Sequence, residues 1–96
     1  MNYPALTIST ASGNDMHIVY THEFRRGINK VCDKAVQIKI KKIVKKIIDN
    51  PDVGKPLRYE LEGLRSVRVP PFRILYELSG DCLIFHIFEH RDTVYS

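Results

Sequence analysis

Arg68, Arg73 and His90 have the side-chain types that phosphate chemistry uses. A guanidinium stays charged and offers a planar fork of donors that suits phosphate or carboxylate. An imidazole titrates near neutrality and can accept or deliver a proton. Brought together, such groups could hold a phosphate and move a proton beside it. The question for the sequence is whether its elements converge them.

Three strand-like runs cover residues 64–69, 72–79 and 82–89, with a short terminal strand expected near 93–95. Gly80-Asp81 suits a two-residue II′ or I′ hairpin loop. That register pairs Glu77 with Ile84, Leu75 with His86 and Arg73 with Phe88. Pro70-Pro71 is a harder junction, because proline cannot adopt the positive φ of primed turns, so a cis-proline or a bulge is expected. If it still acts as a two-residue link, Arg68 faces Arg73 and Val67 faces Ile74. One sheet face then collects Val67, Val69, Phe72, Ile74, Tyr76, Leu78, Leu83, Phe85 and Ile87 and must meet the helices. The other collects Leu64, Ser66, Arg68, Arg73, Leu75, Glu77, Cys82, Ile84, His86, Phe88 and His90. Opposed arginines repel unless something negative lies between them. Two readings fit: a carboxylate from a loop or the termini, or a bound phosphate. Glu77 is read as too distant to serve both. His90 is either a hydrogen-bonded strand end or a proton carrier, and His86, in mid-strand, is read as structural.

The first half of the chain supplies the cover. Residues 1–15 read as an N-terminal tail, disordered or a mis-assigned start with Met16 as the alternative; residues 16–96 form the domain. His17–Thr21 is strand-like, residues 23–31 suggest a short helix weakened by Gly27, and Asp33 suits the N-cap of a helix over 34–49. Val36, Ile40, Ile43, Val44, Ile47 and Ile48 form its core stripe, and Asn50-Pro51 ends it. Lys34, Lys39, Lys41, Lys42, Lys45 and Lys46 read as the solvated face, with Ile38 either packed on the first helix or exposed to a partner. The expected fold is therefore α+β: an N-terminal strand, two helices, then a three- to four-stranded antiparallel sheet with the helices on one face.

With 96 residues and a net charge of +4, one small basic domain is expected, of a kind that often meets nucleic acid or an acidic partner. Residues 54–96 hold five of the seven arginines, and residues 1–53 seven of the eight lysines, so the more specific cations fall in the second half. No apolar run is long enough to span a bilayer and no secretory signal precedes the domain, which points to the cytoplasm. Cys32 and Cys82 lack metal-ligand spacing and are read as reduced core residues, so neither a cofactor nor a metal is expected.

The ordered set Gly54-Lys55-Pro56-Leu57-Arg58, Leu61-Glu62-Gly63-Leu64-Arg65-Ser66-Val67-Arg68-Val69, Phe72-Arg73-Ile74-Leu75-Tyr76-Glu77 and His90-Arg91-Asp92-Thr93-Val94-Tyr95 resembles the RelE/ParE toxin superfamily over roughly residues 16–95. The resemblance implies a metal-independent endoribonuclease that cleaves mRNA in the ribosomal A site. It implies a small acidic antitoxin as partner, operator DNA contacted only through that antitoxin, and no membrane. It implies catalytic roles for Arg73, Arg68, His90 and Tyr95, and RNA contacts from Arg65, Arg58, Arg91 and Lys55. Two departures stand out: Pro70-Pro71 replaces a Gly-Asp-like turn, and Ser66 stands where some strong RelE nucleases carry lysine, which suggests a lower catalytic rate. The other classes within reach are a ParE-like gyrase inhibitor without nuclease activity and an inactive homologue that mainly binds antitoxin.

Overall fold

The computed structural model describes residues 5–9 and 15–90, with side chains from Met16 onward. Its elements are β1 (Ala5–Ser9), β2 (Asp15–Tyr20), α1 (His22–Asn29), α2 (Lys34–Asp49), β3 (Lys55–Pro56), β4 (Leu64–Val69), β5 (Phe72–Ser79) and β6 (Cys82–His90). They form the expected α+β arrangement, but the sheet has six strands, in the order β1-β2-β6-β5-β4-β3. It is also mixed, because β2 lies parallel to β6 while every other pairing is antiparallel. Residues 5–9, read from sequence as part of a tail, pair with β2 at the sheet edge. The terminal strand expected near 93–95 lies outside the described residues.

The helices start where the side chains can cap them. The Phe24 amide donates to Thr21 Oγ1 at 3.1 Å, and the Ala35 amide to Asp33 Oδ1 at 2.8 Å, each satisfying a donor that the first turn leaves without a partner. Ile40 and Ile47 of α2 are buried against Ile18, Ile74, Tyr76, Leu83 and Phe85, while Val36, Ile43, Val44 and Ile48 pack at the margin of this core. Truncating such a fully buried isoleucine to alanine costs about 2–5 kcal/mol. Ile38 is 55% exposed. Gly27 does more than weaken α1. A Cβ there would lie 2.0 Å from the Phe88 carbonyl oxygen, so the glycine lets α1 rest directly on the backbone of β6.

Both hairpin links keep their expected starting register. Gly80 carries the positive φ, 61°, that a II′ turn requires at its first central position, and Tyr76 to Ser79 pair with Phe85 to Cys82. The Pro70-Pro71 peptide is cis, and Arg68 faces Arg73 across the link. Beyond Tyr76 the β5–β6 register shifts by one residue. Leu75 therefore faces Ile87 instead of His86, and Arg73 faces Glu89 instead of Phe88. The shift turns Phe88 into the core, where its ring stacks on Phe72 at 4.8 Å and meets Phe24 edge-on at 6.4 Å. Burying a phenylalanine in an aromatic cluster is the gain that a perfectly regular strand would forfeit. Thr21 clamps the irregularity: its amide donates to Phe85 O at 3.1 Å and its hydroxyl to His86 O at 2.6 Å.

The cysteines also depart from expectation. Cys32 is exposed in the link between the helices, and Cys82 is half-buried at the start of β6. Neither is a core residue, because each sits where the chain leaves or enters an element.

Candidate functional site

The cross-strand pair Arg68–Arg73 is the centre of the site. Arg68 is exposed, whereas Arg73 is only 8% exposed. Both line a concave region of about 410 Å³ together with Lys46, Lys55, Val53, Leu57, Ser66 and Val67. Four cations thus border one depression, and none of the described residues lining it is acidic. Lys55 arrives from β3, directly opposite Ser66 of β4, and Lys46 arrives from the last turn of α2.

A network behind β4 fixes the turn that delivers Lys55. The buried Tyr76 hydroxyl donates to Pro51 O at 2.6 Å and accepts from the Gly54 amide at 2.9 Å. A Cβ on Gly54 would come within 2.5 Å of that hydroxyl, so the turn must be glycine. Burial raises the Tyr76 pKa above its ordinary value of 10.0, against the opposing effect of the Gly54 hydrogen bond. Arg65, the β4 partner of Tyr76, grips the same turn, donating through Nη1 to Gly54 O at 2.9 Å and to Asp52 O at 3.3 Å. Expected as an RNA contact, Arg65 is half-buried and engaged with this turn. Arg58 is exposed at the head of the 3₁₀ turn Tyr59–Leu61, beyond β3.

His90 does not share a face with the arginines. The register shift sets it opposite Phe72, whose ring it meets edge-on at 5.7 Å, on the helix side of the sheet. It ends β6 one residue beyond the strand partner of Arg73. Arg91 and Tyr95 lie outside the described residues.

Three features were not legible in the sequence. Glu89 lies across from Arg73, so Arg73 faces a cation on one strand and a carboxylate on the other. Glu89 itself borders a separate depression with Arg26 and Lys30 of α1, outside the four-cation site. His86 Nε2 and Glu77 Oε1 are 2.9 Å apart, which gives Glu77 a partner well away from the arginines. Lys46, read as one of six solvated lysines, borders the site. The bulge hid the first; the second joined two residues that the expected register already put on one face, and only the spacing of Lys46 from Lys39 and Lys42 hinted at the third. Chemically, the depression can hold a polyanion: guanidiniums supply planar forks of donors and flexible ammonium groups supply surrounding charge.

Comparison with known proteins bears on the family and the fold. The family model for the ParE toxin of the parDE type II toxin–antitoxin system matches residues 18–94. Toxin RelE of Mycobacterium tuberculosis is 30% identical over 63 residues, covering 65% of this chain and 65% of the relative, so the match spans just under two thirds of that protein. The crystal structure of the toxin–antitoxin complex RelBE2 from the same organism contains a chain of similar fold, with a TM-score of 0.66 at 27% identity, covering 77% of this chain and 95% of that one. YafQ from E. coli superimposes with a TM-score of 0.70 at 22% identity, covering 84% and 99%.

Proposed function

Because this chain belongs to the RelE/ParE superfamily of type II toxin–antitoxin toxins, we propose that it is a metal-independent endoribonuclease that cleaves mRNA on the ribosome. The observation that carries the proposal is the depression bordered by Lys46, Lys55, Arg68 and Arg73 without an acidic residue among its described lining. In this reaction the RNA 2′-oxygen attacks the adjacent phosphorus and the 5′-oxygen leaves, giving a 2′,3′-cyclic phosphate and a 5′-hydroxyl. DNA lacks the attacking group. Arg68 and Arg73 stabilise the extra charge on the phosphorane while remaining protonated themselves. His90 at the end of β6 and Tyr95 are the proposed groups that take the 2′-proton and return one to the leaving oxygen. Arg58, Arg91 and Lys55 extend the RNA contact, and Arg65 holds the turn from which Lys55 projects. The reaction belongs in the cytoplasm, where ribosomes are; no helix among the described residues is long and apolar enough to cross a membrane.

The proposed controlling partner is a small acidic antitoxin, and similar chains have been solved as toxin–antitoxin complexes. A groove of about 680 Å³ between α1 and α2 offers it a seat. Tyr20, Phe24, Ile28, Val44 and Ile48 line it, and Lys41 and Lys45 stand at its rim. This combination suits an amphipathic helix with acidic flanks. Operator DNA is then reached only through the antitoxin.

One observation favours a second reading, a gyrase inhibitor without nuclease activity: the matching family model is that of the ParE toxin. Toe-printing of translating ribosomes, run beside an assay of plasmid supercoiling, separates the two. The nuclease reading expects new cuts at A-site codons with supercoiling unchanged; intact mRNA with altered supercoiling sinks it.

A further inference from the structure

We infer that the RNA strand leaves the cation cradle along one flank of α2, with Lys46 completing the cradle and Lys42 and Lys39 meeting the phosphates beyond it. This rests on the RNA reading of the site. The lysines of α2 do not form one uniform solvated face. Lys46 borders the cradle with Arg68 and Arg73, whereas Lys41 and Lys45 border the apolar groove between the helices. Helix geometry explains the division. Lys39, Lys42 and Lys46 follow at i, i+3 and i+7 and share one stripe, while Lys41 and Lys45 share another with the exposed Ile38. The first stripe runs about 10 Å along the axis at about 1.5 Å per residue and ends at the cradle.

Lys39, Lys42 and Lys46 are all exposed. The helix has no acid before Asp49, which borders the groove on the other flank. The three ammonium groups therefore repel one another with no acid of α2 among them. A helix C-terminus favours cations in its last turn, which accounts for the presence of Lys46 there. It does not account for Lys39 and Lys42, or for the entry of Lys46 into the cradle. A polyanion running from Arg73 past Lys46 is complementary to the whole stripe. A protein partner is better served by the apolar groove on the opposite flank.

The test uses the purified full chain and a fluorescein-labelled 2′-O-methyl oligoribonucleotide, which binds but offers no 2′-hydroxyl to attack. Anisotropy is read across a salt series. Lys46→Gln and Lys42→Gln are each expected to weaken binding and to flatten the log affinity–log salt slope by about 0.7, the loss of one phosphate contact to a single strand. Lys41→Gln should leave the slope unchanged. Equal losses from Lys41→Gln and Lys42→Gln, or an unchanged slope in Lys46→Gln, overturn the inference. Arg68→Gln distinguishes the two levels of failure. If it flattens the slope while Lys46→Gln does not, the track is wrong and the RNA site stands. If the unaltered chain does not bind, or Arg68→Gln binds like it, both fall. Weakened antitoxin binding with oligonucleotide binding intact in Lys42→Gln and Lys46→Gln would assign the stripe to protein contact, and also overturns the inference.

Discussion

At the residue scale the site is an asymmetric charge arrangement. Arg73 lies across from Arg68 on one strand and from Glu89 on the other and is almost closed to solvent, while Arg68, Lys46 and Lys55 remain exposed. A buried guanidinium beside exposed cations suits phosphoryl chemistry, since nearby donors stabilise developing charge and surrounding charge recruits the strand. The Arg68–Arg73 pairing was legible in the sequence because a two-residue link between alternating runs admits one register. The position of His90 was not, because one extra residue in β6 turns every side chain after it to the other face. His90 stands beside Phe72 on the face away from the arginines, so the proposed proton-transfer role requires it to act around the end of β6. Replacing it with glutamine keeps a similar shape and removes the imidazole proposed to carry the proton. Cleavage by His90→Gln is expected to fall about 10²–10⁴-fold with RNA affinity little changed. Parallel losses in rate and affinity, measured by single-turnover cleavage and by anisotropy, would point to a binding role.

At the element scale, two close approaches position the site. Gly27 lets α1 lie on β6 at Phe88, and Gly54 lets the turn after α2 lie on the Tyr76 hydroxyl. Their structural demands could not be read from the chain. Gly27 looked like a weak point in a helix, and nothing local says that a carbonyl from a strand more than fifty residues away will rest against it. The α2 boundaries, in contrast, were legible from both ends, through Asp33 and Asn50-Pro51. Gly27→Ala is expected to destabilise the protein by about 1–3 kcal/mol, despite alanine being the better helix former, as chemical denaturation would show. A stabilised Gly27→Ala would mean that α1 can move away from β6 without loss. Thr21→Val should cost about 1–2 kcal/mol, by removing both the cap and the hydroxyl that holds His86 O.

At the scale of the whole molecule, a mixed sheet with helices on one face leaves two surfaces of different chemistry, an apolar groove between the helices and a cation cradle at the β3–β4 side. The composition foretold the cradle's sign but not its place, since charge counts carry no geometry. Stability should show the same architecture in its alkaline limit. Burial raises the pKa of Tyr76 above 10.0, so the folded state favours the neutral phenol. That contribution is full below about pH 10, the unfolded value, and is lost as pH rises through the higher folded value. Denaturation at stepped pH should show this decline, and Tyr76→Phe should make it shallower while lowering stability near neutrality by about 1–3 kcal/mol, through the Gly54 amide left without its acceptor. Whether this cradle performs RNA cleavage is decided by single-turnover cleavage of mRNA in programmed ribosomes, comparing the unaltered chain with a folded Arg73→Gln variant. Codon-positioned cuts are expected from the former and a loss of at least about 10²-fold in the latter; cleavage at full rate by folded Arg73→Gln would contradict RNA cleavage by the cradle.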